Sequence, residues 1–299
     1  MRSGGSSVAA SSGRRGLLVL AVVSAVVASG CSSGSARPTL RYVALGDSYS
    51  SGEGNPPFDA GTDVASGPNQ DRCRRSRVAF PHQLHVRANL VLVHRACSGA
   101  VGADVTTTSK YPPEPPQVSW VDASTNLVTI TIGGNEAGFG TVLVSCLLEL
   151  PSCSVTDPGL DTRITALAQS LPPVFAAIRQ RSPAARILVV GYPDIFPPVP
   201  ATGAAPCARL RILGRGLTGT EITTLRARAH HLDQVIADAA ATAGVEYVDA
   251  ESAFAGHEVC TSQPWVYGLD LTNHGSLHPN ASGQAALGAK VSAAFDRRG

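Results

Sequence analysis

Several things are scarce in this sequence, and each scarcity excludes something. Only 15% of the 299 residues are charged and the formal net charge is +2. That is too little charge, beside 43% hydrophobic residues, for a disordered chain. It also leaves no broad basic field for nucleic acid. No Gly-Lys-Ser/Thr follows a glycine-rich turn, so there is no phosphate-binding P-loop. No C-x-x-C pair occurs, which argues against a cysteine zinc site, and no metal or organic cofactor is expected. No repeat of 20–50 residues is visible. The longest apolar run, Gly16 to Gly30, has 15 residues, which is short for a membrane span.

That run follows Arg14-Arg15 and has the basic-then-apolar plan of an export signal. Residues 1–30 contain Arg2, Arg14 and Arg15 and no acidic residue. Taking these three arginines from +2 leaves −1 on the rest. Ala28-Ser29-Gly30-Cys31 resembles the end of a bacterial lipoprotein signal, in which the cysteine is lipidated. Ordinary cleavage nearby is the alternative. Residues 31–40 are then a tether and 41–299 one domain, held at the outer face of the membrane or secreted. Six cysteines follow Cys31, an even number that suits three disulfides in an exported chain. Fifteen pairings are possible. The sequential one, Cys73–Cys97, Cys146–Cys153 and Cys207–Cys260, is the expectation.

Five apolar, β-branched runs read as strands: 42–45, 90–93, 127–132, 187–190 and 247–248. Helical patterns fall between them. One covers 161–181, interrupted at Pro172-Pro173. Another covers 220–243, with Ile222, Leu225, Ala229, Leu232 and Ile236 at helical spacing. Thr218 and Glu221 can box its start, and Gly244 can end it. A last helix follows Ser282, where Asn280 is better read as a cap than as a glycosylation sequon. This alternation predicts a doubly wound α/β domain with a parallel sheet. Long Gly/Pro-rich segments at 51–80, 106–119 and 193–219 read as disulfide-tethered loops around a binding face.

The densest chemical signal is Gly46-Asp47-Ser48 at the end of the first strand, where ligands bind in such sheets. It is not a G-x-S-x-G elbow, because Ser50 occupies the second glycine position. An isolated serine there would most often be a cap. Three further segments change that: Cys97-Ser98-Gly99 after the second strand, Gly133-Gly134-Asn135 after the third, and His278-Pro279 before the last helix. Singly, Gly99 is turn punctuation and Asn135 a turn residue. In combination the four segments resemble the blocks of the SGNH (GDSL) hydrolase family. The extended Gly46–Gly54 run, the six cysteines and Gly191-Tyr192-Pro193 are most similar to its secreted actinobacterial esterase/lipase branch.

The resemblance implies a three-layer α/β/α fold with a five-stranded, flavodoxin-like sheet, acting on carboxylic esters as a monomer. It implies Ser48 as nucleophile and His278 as general base. The oxyanion hole would comprise the Ser48 and Gly99 N–H groups and the Asn135 amide. Glycine permits close approach of its N–H, and asparagine offers an uncharged donor. Among the eight histidines, His82 and His85 lie in a helix-like stretch as surface or core residues, and His274 is the main competitor for the base. Most of the family carries Asp three residues before the catalytic histidine; here that residue is Gly275. The branch implies that the Gly275 carbonyl orients the imidazole in a Ser–His dyad, with Asp270 as the acidic alternative. Lipid or small acyl esters are the expected substrates. Acetylated glycans, or a binding lipoprotein on the same fold, are the rivals. Phe58, Tyr111, Trp120, Phe196 and Trp265 are candidates to line an acyl cleft.

Overall fold

Val43, Ala44 and Leu45 have almost no polar atoms to offer on either side of a strand, and both sides are covered. In the computed structural model, Tyr42 to Leu45 are completely buried in strand β1 (Arg41–Gly46). The structure describes residues 39–88, 90–148, 158–198, 211–212, 215–269 and 275–297. The other sheet strands are β2 (Val91–His94), β3 (Thr125–Thr131), β4 (Arg186–Val190) and β5 (Glu246–Val248). All four pairings are parallel, in the order β2-β1-β3-β4-β5. This is the flavodoxin-like order, with the chain reversing its direction of travel across the sheet beside β1 and β3.

The described helices are α1 (Ser48–Ser51), α2 (Phe80–Ala88), α3 (Gly102–Thr106), α4 (Gly134–Ala137), α5 (Phe139–Leu148), α6 (Pro158–Arg181), α7 (Gly219–Thr242) and α8 (Ala281–Asp296), with short 3₁₀ helices at Gln117–Trp120 and Glu251–Phe254 and a small antiparallel pair, Arg211–Ile212 with Arg215–Gly216. Helix α6 packs on α7 and α2 on α8. The Thr218–Glu221 capping box starts α7, and the Asn280 side chain accepts from the Ser282 and Gly283 N–H groups to start α8. The expected break at Pro172-Pro173 is absent, because α6 runs straight through both. Each interior proline costs about 3 kcal/mol or more. Leu171, Val174, Phe175 and Ile178 are buried around that point, so packing of the apolar face overrides the local preference.

Cys73 and Cys97 are joined. Cys146 and Cys260 are also disulfide-bonded. Cys31, Cys153 and Cys207 lie outside the described residues, as do Asp270 and His274.

Candidate active site

Strand β1 must end on a residue that turns sharply, because β3 is pressed against it. Gly46 does so at φ +117°, and a Cβ there would lie 2.3 Å from the Thr131 carbonyl oxygen. The buried Gln117 amide then clamps the Gly46 backbone at both ends. It accepts from the Gly46 N–H at 2.7 Å and donates to the Gly46 carbonyl at 2.9 Å. Ser48 follows as the first residue of α1. Asp47 caps that helix, its carboxylate accepting from the Tyr49 N–H.

At the other end of the chain, residues 276–280 are laid beside 265–267. Tyr267 N–H donates to the His278 carbonyl, Leu277 N–H to the Tyr267 carbonyl and Asn280 N–H to the Trp265 carbonyl. Gly54 admits this segment, since a Cβ there would lie 2.6 Å from Gly275 Cα. The result places His278 Nε2 2.7 Å from Ser48 Oγ. His278 Nδ1 lies 2.8 Å from the Ser276 carbonyl oxygen. A carbonyl only accepts, so Nδ1 carries the hydrogen and Nε2 presents a lone pair to the Ser48 hydroxyl. The expected orienting group was the Gly275 carbonyl. The structure corrects this by one residue: Ser276 holds Nδ1, and the Gly275 carbonyl accepts from the His278 backbone N–H at 2.9 Å. The reason is local. Leu277 is left-handed (φ +61°), and the Tyr49 hydroxyl donates to its carbonyl at 2.9 Å. That turn brings the Ser276 carbonyl back toward the ring.

The N–H groups of Ser48 and Gly99 donate to no group among the described residues. Gly99 is left-handed at φ +74°, and its carbonyl accepts from the Lys110 ammonium at 2.7 Å. Asn135, exposed near the start of α4, donates one amide hydrogen to the Ala100 carbonyl at 2.9 Å, which leaves a second. Ser48, Asn135, Ser276 and His278 all face one cavity of about 310 Å³. Its remaining walls are mostly apolar: Phe139 and Leu143 of α5, Ile195, Ala229 and Leu232 of α7, and Leu269. None of the five aromatic residues expected at an acyl cleft lines it. Tyr111 and Trp120 face a different recess, Phe196 is in the core, and Trp265 stacks on His257. Phe58 bridges to Ser76.

Two ties that sequence reading did not anticipate hold the blocks together. The Tyr192 hydroxyl donates to the Asp47 carboxylate and accepts from the Gly134 N–H at 2.9 Å. Burial pushes the Asp47 carboxyl up to about 7, against the pull of that hydroxyl. The Glu53 carboxylate accepts from the Ser98 hydroxyl and pairs with the buried Arg74 guanidinium. Tyr192 lies in the Gly191-Tyr192-Pro193 motif, and Glu53 and Ser98 in the Gly46–Gly54 run and the Cys97-Ser98-Gly99 block, but none of these patterns says what the side chain meets.

A serine hydroxyl on an imidazole lone pair, beside free N–H donors and an apolar cavity, is the arrangement of an acyl-transferring hydrolase. The family described as "GDSL-like Lipase/Acylhydrolase family" matches residues 44–286, and the chain belongs to that family. It is 33% identical over 251 residues to Lipase 1 of Streptomyces coelicolor, covering 82% of each chain. The crystal structure of the extracellular lipase of Streptomyces rimosus superposes with a TM-score of 0.67 at 31% identity, over 87% of this chain and 99% of that one. Phospholipase A1 from Streptomyces albidoflavus gives 0.66 at 31% identity, over 87% and 100%. The protein is a hydrolase of the lipase/esterase type.

Proposed function

We propose that the protein hydrolyses acyl esters of lipids or small alcohols through an acyl-Ser48 intermediate, using a Ser–His dyad. The observation that carries this reading is the 2.7 Å contact of Ser48 Oγ with His278 Nε2 on the wall of a largely apolar cavity. His278 Nε2 takes the Ser48 proton as Oγ attacks the ester carbonyl carbon. The N–H groups of Ser48 and Gly99 and the free Asn135 amide hydrogen receive the oxyanion. Collapse expels the alcohol, which leaves with the proton held by His278. Water then gives a proton to His278 and attacks the acyl carbon, and Ser48 leaves with that proton as the carboxylic acid departs. The Ser276 carbonyl fixes the imidazole tautomer throughout, in the place where a triad has a carboxylate.

The cavity wall of Phe139, Leu143, Ile195, Leu232 and Leu269 favours a hydrocarbon chain over an acetyl group on a glycan. The phospholipase A1 relative supports a lipid ester. Residues 1–30 act as the export signal, Cys31 as the lipidated anchor and residues 31–40 as the tether of a monomeric domain at 41–299. The extracellular lipase relative supports export. A fluorophosphonate probe tests the chemistry directly. Wild-type protein incorporates one label at Ser48, while Ser48→Ala incorporates none and His278→Ala reacts at least a hundredfold more slowly. Folded wild-type protein that leaves Ser48 unlabelled refutes the reading.

A further inference from the structure

On the β2 side of α1, away from the acyl cavity, three side chains from three segments converge. Asp59 lies in the loop after α1, His82 on α2 and His94 at the end of β2. One ligand atom from each lies within 4.8 Å of the other two. All three open on a recess of about 750 Å³, also lined by His85, Arg75, Arg95 and Glu114. We propose that Asp59, His82 and His94 form a binding site for one divalent transition-metal ion of the zinc type. The ion would clip the long loop, α2 and the sheet edge together beneath the nucleophile helix.

His94 is only 8% exposed, and its Nε2 donates to the Ser50 carbonyl at 3.0 Å. That bond fixes the tautomer, so Nδ1 carries a bare lone pair. It has no hydrogen-bond partner among the described residues. His82 Nε2 is buried and without a partner as well, and the two rings meet edge to face at 5.3 Å. Two buried nitrogens without partners in one site are costly unless something joins them. A histidine whose far nitrogen is held by a backbone carbonyl is the usual form of a metal ligand. Two imidazoles and a carboxylate, with solvent completing the shell from the recess, suit a four-coordinate zinc. Ligand atoms across a tetrahedral zinc lie about 3.3 Å apart, given bonds of about 2.0–2.1 Å. The partly exposed Asp59 supplies most of the closing movement.

The surrounding charges are compatible with a cation. Arg75 is paired with Glu114 and Asp71, and Arg95 with Glu114. Arg77 holds Asp59 at 3.3 Å on an exposed side and is the one competitor the ion must displace. The other two groupings of this kind among the described residues are already satisfied. His230 lies between Asp194 and Glu251 and pairs with each, Asp194 also holds Arg226, and Cys73 is in its disulfide.

The test uses untagged, EDTA-dialysed protein and zinc ion alone, read by equilibrium dialysis with elemental analysis and by thermal melting. Wild-type protein should bind one zinc per chain and melt at higher temperature with it. Asp59→Asn should weaken binding at least tenfold and His82→Gln at least a hundredfold, and neither variant should show the zinc-dependent rise in melting temperature. Both positions are partly exposed and outside the ester site, so metal-free variants should melt within a few degrees of wild type. Cobalt substituted for zinc should show the visible absorption of a four-coordinate ion, lost in His82→Gln. Failure of wild-type protein to retain zinc, or retention that the two substitutions leave within tenfold, overturns the proposal.

Discussion

Tyr192→Phe deletes one oxygen and leaves the ring, with its edge-on packing against Tyr49 at 5.0 Å, in place. The oxygen lost makes two bonds. One goes to the buried Asp47 carboxylate and the other comes from the Gly134 N–H. A hydrogen bond to a charged group contributes about 1.5–3 kcal/mol and a neutral one about 1 kcal/mol. The phenol's own desolvation offsets part of this, so the net loss is about 2–3 kcal/mol when Asp47 is ionised. For a domain of this size that lowers the melting temperature by roughly 5–10 °C. The pH dependence gives the sharper signature. Burial raises the Asp47 carboxyl to about 7, above its unfolded value, so the folded chain holds a proton there that the unfolded chain has released. The stability this confers is present at low pH and is lost as pH rises through 7. The Tyr192 hydroxyl opposes that rise by stabilising the carboxylate. Without it the carboxyl shifts further up, and the variant loses most above pH 7. At pH 5 the carboxyl is protonated with or without the hydroxyl, and the deficit shrinks to about 1 kcal/mol, the worth of a neutral bond. Turnover should also fall by about tenfold, because the tie holds the Asn135 helix in register with Ser48. Melting curves at pH 5 and pH 8 decide it. A deficit under about 2 °C at pH 8, or a larger deficit at pH 5 than at pH 8, refutes the reasoning.

Asn135→Ala should lower kcat by about 10²–10³ with little change in KM, the scale of one oxyanion donor. Its melting temperature should barely move, because the side chain is exposed. Asp270→Ala should retain activity within about tenfold; a loss of about 10⁴ would instead assign Nδ1 to a carboxylate. Ala229→Phe fills the cavity from α7. Across a p-nitrophenyl ester series it should shift preference to shorter chains, by about fourfold in kcat/KM per methylene excluded, from about 0.8 kcal/mol each. Replacing Cys73 and Cys97 by serine opens a loop with a sequence separation of 24 and should cost about 3.5 kcal/mol, read by denaturant unfolding.

Much of the scaffold was legible because its causes are local. The strand runs at 42–45 and 187–190 are continuous β-branched or apolar segments, and each fell within a residue of its observed bounds. The caps of α7 and α8 rest on side chains two or three residues from the groups they satisfy. Pro172-Pro173 misled because the buried face of α6 outweighs a local preference. The aromatic residues proposed for the cleft misled for a related reason. Loop position says nothing of which wall a ring faces, and the wall was built by α5 and α7 instead.

What the sequence by itself determined was the chemistry available: a serine, a histidine, an asparagine and glycines beside apolar runs that alternate with helical ones. These follow from residue type and short-range periodicity. Which groups meet was decided only by the tertiary structure. Ser276 rather than Gly275 faces the imidazole because a left-handed Leu277 is held by Tyr49, from the far end of the chain. The bridge from Asp47 through Tyr192 to Gly134, the Gln117 clamp on Gly46 and the convergence of Asp59, His82 and His94 likewise join segments far apart in the chain. Such contacts depend on how the sheet and its loops close, and no spacing within the chain encodes them.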